Sequence, residues 1–347
     1  MKKILLKVII ILIAFYSGAF AQYDTLVVEA QSLTEADASI KEYIKDRFPI
    51  ISDKLLDKIA SKKFTEISDK PGLDSIAAFY NVKYPVPSNF LLDTVKILWE
   101  LNIPEFRSHL FQLYGKDTIY IDTWNNVLGT AATKTYAGYF EAFRIRNWPT
   151  WKDPEKGKEQ LPATPPGPNN PLGLFVVHYD ENSLRYFHGT NKNYLIYSKM
   201  RNLSHGCVRN DNANIARMKE FILKRVIKSK DLTSWMDSKK SMTYDLETPD
   251  KFPVRIIYKT FTIDKDDKGA FVELYKDIYG YKNERNIDAK WNEESLITLT
   301  TKENIIAGLK KKLKDVTPEK IGRLADYIIS NCDEYERYYI DDMPEGN

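Results

Sequence analysis

Cysteine is scarce in this sequence: Cys207 and Cys332 are the only two in 347 residues, so one disulfide at most is possible. Ile321, Leu324, Ala325, Ile328, Cys332 and Tyr335 recur at helical spacing, which predicts that Cys332 is a small core hydrophobe rather than half of a cystine, even where thiols tend to pair. Histidine is scarce as well, four in all, and the Cys-x-x-Cys and His-x-x-x-His spacings of zinc sites are missing. Charge of either sign is not in excess: 51 Lys and Arg are interspersed with 48 Asp and Glu. The chain therefore has no basic stripe for a nucleic acid, and its net +3 allows only mild attraction to an anionic polymer. Beyond the N-terminus no stretch is long and apolar enough to cross a bilayer, and no internal repeat occurs.

At the N-terminus Lys2 and Lys3 precede the apolar run from Val8 to Phe15, followed by Gly18 and the small-x-small sequence Ala19-Phe20-Ala21. This pattern predicts a secretory signal peptide over 1–21, with Gln22 as the first mature residue. An uncleaved anchor would need about 20 apolar residues. The mature chain is thus expected outside the cytoplasm.

From Leu33 to Leu101 apolar residues follow helical periods, such as Ile40, Tyr43 and Ile44, then Leu73, Ile76, Ala77 and Tyr80. Thr34, Ser52 and Ser88 stand as N-caps, the break Tyr84-Pro85-Val86-Pro87 divides the helices, and Pro104 ends them. The region 22–103 is accordingly predicted to be helical. From 104 to 285 the texture is that of a sheet, with strands at Leu110 to Tyr114 and Thr118 to Ile121 and a stiff Pro-rich loop from Trp148 to Gly173. Leu174 to Tyr179 and Ser183 to His188 form an expected hairpin around Asp180-Glu181-Asn182. A helix is expected after Asp211, with Ile215, Met218, Ile222 and Val226 on one face, behind the cysteine. Val254 to Ile263 and Ala270 to Tyr275 read as a strand pair. Their link, Asp264 to Gly269, resembles an EF-hand opening, but Lys268 and Tyr275 occupy ligand positions, so it reads as a charged turn. The last part, 286–347, is charged and again predicted helical. The fold class is α+β: a mostly β domain with one helix behind Cys207, flanked by helical regions.

The residues that carry chemistry are concentrated in Phe187-His188-Gly189-Thr190 and Ser204-His205-Gly206-Cys207-Val208-Arg209-Asn210. Acyl transfer by a thiol needs the thiolate, and a neighbouring histidine both favours that form and returns the proton to a leaving amine. Gly206 permits close backbone approach, so nearby amides are candidates for an oxyanion site. Arg209 adds positive potential and can hold a substrate carboxylate. The competing reading of the same residues is a metal site from His188, His205 and Cys207. His178, on the first hairpin strand and able to approach His188, and His109, with no evident partner, are assigned to packing.

Ser204 to Asn210 resembles the Ser-His-Gly-Cys signature of L,D-transpeptidases, and Phe187 to Thr190 resembles their upstream His-Gly-Thr. The Pro-rich run ending at Gly173 and the segment Asn147-Trp148-Pro149-Thr150-Trp151 are similar to further family motifs, so the resemblance covers about 104 to 281. It implies that Cys207 is the nucleophile and His188 its base, oriented through a backbone carbonyl near Gly189. It further implies that His205 works with the Gly206 and Cys207 amides around the oxyanion. Arg209, Ser204, Gly189, Tyr186 and Tyr194 fall to substrate binding and support. The implied reaction acts on peptidoglycan stem peptides in the cell envelope, releases a terminal D-Ala, passes the acyl group to an amine acceptor, and needs no cofactor or metal. One departure stands out: Asn193 to Tyr197 replaces a Ser-Ile-Gly turn. Two rivals remain at this level, a hydrolase using the same Cys-His site and an inactive wall-binding scaffold.

Overall fold

The computed structural model describes residues 23–68, 79–153, 160–183, 185–314 and 316–344. The expected signal peptide, and Leu73, Ile76 and Ala77, lie outside the described residues. In chain order the elements begin with β1 (Tyr23–Ala30), α1 (Leu33–Arg47), α2 (Asp53–Ala60), β2 (Phe64–Ser68), β3 (Phe79–Pro87), β4 (Lys96–Asn102), β5 (Arg107–Tyr114) and β6 (Asp117–Gly129). Next come β7 (Gly138–Ala142), β8 (Arg144–Asn147), β9 (Phe175–His178), β10 (Tyr186–His188), β11 (Asn202–Ser204), β12 (Val208–Asn210), α3 (Asn212–Phe221) and α4 (Leu232–Met236). The remainder is β13 (Met242–Asp245), β14 (Phe252–Lys259), β15 (Phe261–Asp266), β16 (Gly269–Leu274), β17 (Ile297–Thr298), α5 (Lys302–Lys312), α6 (Pro318–Asn331) and β18 (Arg337–Tyr339). The chain forms two compact units, one of 1–98, 110–123 and 213–240, the other of 99–109, 124–212 and 241–347.

The first unit corrects the expectation of an all-helical N-terminal region. Its N-terminal part, 23–87, holds α1 and α2 beside an antiparallel sheet in the order β1-β3-β2, and α3 and α4 belong to the same unit. The run read as a helix break is the end of β3, where Val82, Tyr84 and Val86 alternate inward and are fully buried. Proline is tolerated there because β2 pairs with β3 only from Phe79 to Lys83, so Pro85 and Pro87 face β1 alone. Ser52 caps α2 as expected, but α1 is capped by Ser32, whose hydroxyl accepts from the Glu35 amide at 3.1 Å, and not by Thr34. Ser88 opens a short 3₁₀ turn without a side-chain cap. The helix expected after Asp211 starts at Asn212 and buries Ile215 and Met218. It then widens into a π turn over Ile222–Val226, where the Ile227 amide reaches back to the Ile222 carbonyl at 2.9 Å. Arg217 fastens α3 to the turn after α1, donating to the carbonyls of Pro49, Ile50 and Ile51 at 2.9, 2.8 and 2.7 Å.

A sheet of twelve strands runs in the order β13-β8-β9-β10-β12-β6-β5-β4-β14-β17, with β11 beside β6 and β7 beside β14; the division between the units falls inside β4, β5 and β6. The chain is thus mixed α+β and mostly β. The hairpin of β9 and β10 forms with the expected strands. In the core beneath it Phe187 stacks on Trp99 at 3.9 Å, and Trp99 meets the edge of Trp124 at 5.8 Å. The run from Val254 to Ile263 is two strands: β14 joins the large sheet, the chain breaks at Thr260, and β15 pairs with β16 and through it β18 in a separate small sheet. That small sheet covers α5 and α6 over a core including Val272, Ile305, Leu309 and Ile328. Cys332 ends α6, packs on this core, and forms no disulfide with Cys207. Asp264 pairs with Lys312 and Asp266 with Arg337, so the charged turn is neutralised by the chain's own bases.

Candidate active site

The large sheet places β10 and β12 side by side and parallel, with His188 opposite Arg209 and Phe187 opposite Val208. Cys207, one residue before β12, therefore lies next to Tyr186, and a backbone hydrogen bond from Tyr186 reaches its sulfur. Parallel strands need a crossover. Here it is 189–207, which includes a 3₁₀ turn over Asn193–Tyr197 and returns along β6 as β11.

The turn carrying Cys207 is held from inside. The Gly206 amide donates to Ser204 Oγ at 3.1 Å, and that hydroxyl donates to the Cys207 carbonyl at 2.6 Å. Thr135 Oγ1 donates to the Gly206 carbonyl at 2.8 Å, and Thr133 Oγ1 to that of Ser204 at 3.1 Å. Gly206 has φ +105°, open to glycine and strained for other residues. The Gly206 amide is engaged by Ser204 rather than turned to a substrate oxygen, and the buried Ser204 hydroxyl braces the turn. From beneath, Gly129 leaves the turn its room: a Cβ there would lie 2.1 Å from the Thr133 carbonyl oxygen and 2.9 Å from Gly206 Cα.

His188 is 3% exposed. Burial, then the Arg209 charge, pushes its imidazole down to about 3, while backbone hydrogen bonds with Gly189 and Leu172 oppose that shift. Its Nδ1 is buried and has no hydrogen-bond partner. The Pro-rich loop contributes through Gly173, which has φ +63° and would place a Cβ 2.7 Å from the Thr190 amide, so the loop lies directly on the Gly189-Thr190 backbone. Asn170, fully buried, folds that loop by donating from Nδ2 to the carbonyls of Pro149, Thr164 and Pro165 at 2.8, 3.1 and 3.0 Å. On the other side a chain of buried polar groups runs from Ser108 Oγ to Asn126 Oδ1 at 2.7 Å, and from Asn126 Nδ2 to Asn210 Oδ1 at 2.8 Å. Asn210 Nδ2 then reaches the Val208 and His188 carbonyls at 3.2 and 3.4 Å, so the last residue of the sequence motif ties β10 and β12 together.

The Cys207 thiol is pushed up to about 11 by burial, against the Tyr186 hydrogen bond and the charges of Arg185 and Arg209. At rest, thiol and imidazole are therefore both neutral, and the imidazole is in the form that accepts a proton. Cys207, His188, exposed His205, Arg209 and Tyr186 line a cavity of about 860 Å³. Ser204 reaches its wall; Gly189 and Gly206 are not among its lining residues. Tyr194 does not line it. Asn193 Nδ2 and the Tyr197 hydroxyl both donate to Asp211, at 2.8 and 2.6 Å, which pins the 3₁₀ turn with Ile196 inward and Tyr194 69% exposed.

Sequence reasoning missed Arg146, Lys152, Arg185 and Lys192, which line the same cavity, where Asp153 is the single carboxylate among the described residues. They come from separate loops and strands, and nothing in their spacing brings them together. Among the described residues no group of three or more His, Cys, Asp or Glu could hold a metal ion. His178 stands opposite Tyr186, at 4.6 Å between rings, rather than opposite His188, whose register partner is Val176. Burial, then Arg146 and Arg144, pushes it down to about 4. His109 has a partner after all, Glu105, at 3.0 Å from Nε2.

Residues 101–256 match the family described as the L,D-transpeptidase catalytic domain. The chain is 29% identical over 155 residues, 42% of its length and 47% of the relative's, to the probable L,D-transpeptidase ErfK/SrfK of Escherichia coli strain K12. It is also 29% identical over 165 residues, 45% of its length and 50% of the relative's, to the probable L,D-transpeptidase YbiS of the same organism. The chain thus spans about half the length of the curated relatives it matches. Among solved structures it is similar to an L,D-transpeptidase from Mycobacterium smegmatis, at 10% identity and a TM-score of 0.29, covering 72% of this chain and 98% of that one.

Proposed function

We propose that this chain, whose residues 101–256 match the L,D-transpeptidase catalytic domain, is an exported cell-envelope enzyme that transfers acyl groups between peptidoglycan stem peptides through a thioester on Cys207. The observation that carries the reading is that Cys207, one residue before β12, and His188, two register positions further on in the parallel neighbour β10, line one cation-rich cavity. The unpartnered Nδ1 of His188 is the acceptor available for the thiol proton.

In the proposed reaction His188 takes the proton from Cys207, and the sulfur adds to the carbonyl carbon of the third stem residue. The oxyanion is met by the Cys207 amide and by His205 at the cavity wall, since the Gly206 amide is already engaged. As the intermediate collapses, the carbon–nitrogen bond breaks and the His188 proton goes to the departing D-Ala amine, leaving the thioester. An acceptor amine then attacks that carbonyl, gives its proton to His188, and releases the product with the sulfur as leaving group; the proton returns to Cys207. The chemistry is assigned to 104–285, and the terminal regions are left without a catalytic part. Incubation of the purified protein with muropeptides tests this. Cross-linked dimers that disappear in Cys207→Ala support transfer to an amine, trimmed tripeptide alone would make the enzyme a hydrolase, and no product from folded protein would refute both.

A further inference from the structure

Two arginines of the same unit use their guanidinium groups differently. Arg201 donates from Nε to the Asn126 carbonyl at 3.2 Å, from Nη1 to that of Ser198 at 3.0 Å and from Nη2 to that of Phe106 at 3.3 Å. It is a brace, with its donors spent on the backbone. Arg185 donates only from Nε, to the Lys134 carbonyl at 2.8 Å, and its plane is fixed over the Tyr136 ring with Cζ 4.1 Å from the centroid. Among the described residues nothing accepts from its two terminal nitrogens and no carboxylate pairs with it. Yet it lines the cavity beside Cys207, and a Cβ on Gly206 would lie 2.9 Å from its Nε. A guanidinium held flat, with its outer nitrogens unspent and facing a cavity, is arranged for two parallel hydrogen bonds to a carboxylate.

Resting on the acyl-transfer reading above, we propose that Arg185 binds the free terminal carboxylate of the amino acid that departs, and so restricts the donor to stems ending one residue beyond the bond that is cut. The position decides which carboxylate. Arg185 packs on the residue preceding the nucleophile, and the departing residue's Cα is one step of about 3.8 Å along the chain from that of the residue being acylated. Carboxylates on the acyl side extend along the stem, away from the cleaved bond. Arg209 acts on the same sulfur from β12, so the two guanidinium groups divide the work: Arg209 sits across from His188, and Arg185 beside the nucleophile turn.

The test compares a stem tetrapeptide ending in D-Ala carboxylate with the same peptide ending in D-Ala amide, using full-length protein. Wild type should favour the acid by about 10²-fold in kcat/KM, the order expected when one partner of a desolvated, hydrogen-bonded charge pair is removed. Arg185→Gln should lose that preference by slowing the acid far more than the amide, which feels only the loss of the Arg185 charge beside Cys207. Arg185→Lys, which keeps the charge without the planar fork, should fall between. An equal drop on both peptides would make Arg185 a support for the Gly206 turn and overturn the proposal. So would an undiminished preference in a folded Arg185→Gln protein. Binding of the two peptides to Cys207→Ala, with and without Arg185→Gln, separates this inference from the reaction itself: the acid preference should vanish with Arg185 whether or not wild type turns either peptide over.

Discussion

Gly129→Ala tests the claim that the nucleophile's position is set from beneath. The new methyl carbon would stand 2.1 Å from the Thr133 carbonyl oxygen, 2.8 Å from the Thr135 nitrogen and 2.9 Å from Gly206 Cα, all backbone atoms. To reach an ordinary contact of 3.4 Å, the Thr133 carbonyl or β6 must move by about 1.3 Å. Thr133 and Thr135 hold the Ser204 and Gly206 carbonyls, so this displacement is passed to the turn that ends at Cys207. Overpacking of this kind costs about 1–3 kcal/mol of stability. The kinetic loss should be of similar size, because a misplacement of about 1 Å at reacting atoms can reduce a rate about 10²-fold. Thermal unfolding and the rate of Cys207 acylation by a stem peptide, measured on the same samples, read the two effects separately. Gly322→Ala is the control: that glycine is in α6 with nothing within 4 Å of an added Cβ, and the substitution should be neutral or slightly stabilising. A Gly129→Ala protein that acylates at the wild-type rate would refute the reasoning, whatever its stability.

Cys207→Ala should abolish turnover without unfolding the protein, whereas Cys332→Ala, at the end of α6, should keep most activity; substantial turnover by the first variant would remove the mechanism. His188→Ala should lower acylation by about 10²–10⁴-fold, and His205→Ala by less, through lost positioning in a cavity wall; the reverse order in single-turnover rates would exchange their roles. EDTA should leave turnover unchanged and iodoacetamide should remove it, while zinc-restorable loss in EDTA would return His188, His205 and Cys207 to the metal reading. His109 predicts a pH dependence of stability. Burial works against its protonation, but the Glu105 carboxylate outweighs that and raises its pKa above the ordinary value. A raised folded pKa gives stability that is complete below about 6.5, the unfolded value, and is lost as pH rises through the folded one. Denaturant unfolding of wild type and His109→Gln across that range should show a gap that closes at alkaline pH, and a gap independent of pH would contradict the assignment.

What the sequence determined by itself is local. The hairpin of β9 and β10 follows from alternation around Asp180-Glu181-Asn182, and the start of α3 from the pattern after Asp211. The N-terminal region shows where local pattern fails. The helical reading around Tyr80 lost to an inward alternation of Val82, Tyr84 and Val86, and the prolines that suggested a break are acceptable in a strand only because β2 stops short of them. The two compact units are also discontinuous, which no contiguous change in composition can announce. At the site, sequence named Cys207 and His188 but not the cations that share their cavity. Arg146, Lys152, Arg185 and Lys192 belong to segments with unremarkable spacing, and only the long-range pairing of β8, β9, β10 and β12 brings their charges around one sulfur. The same pairing decided that the Gly206 amide is spent on Ser204, because hydrogen-bond partners are a property of the turn's closed geometry, whereas the choice of a cysteine and a histidine is a property of the residues themselves.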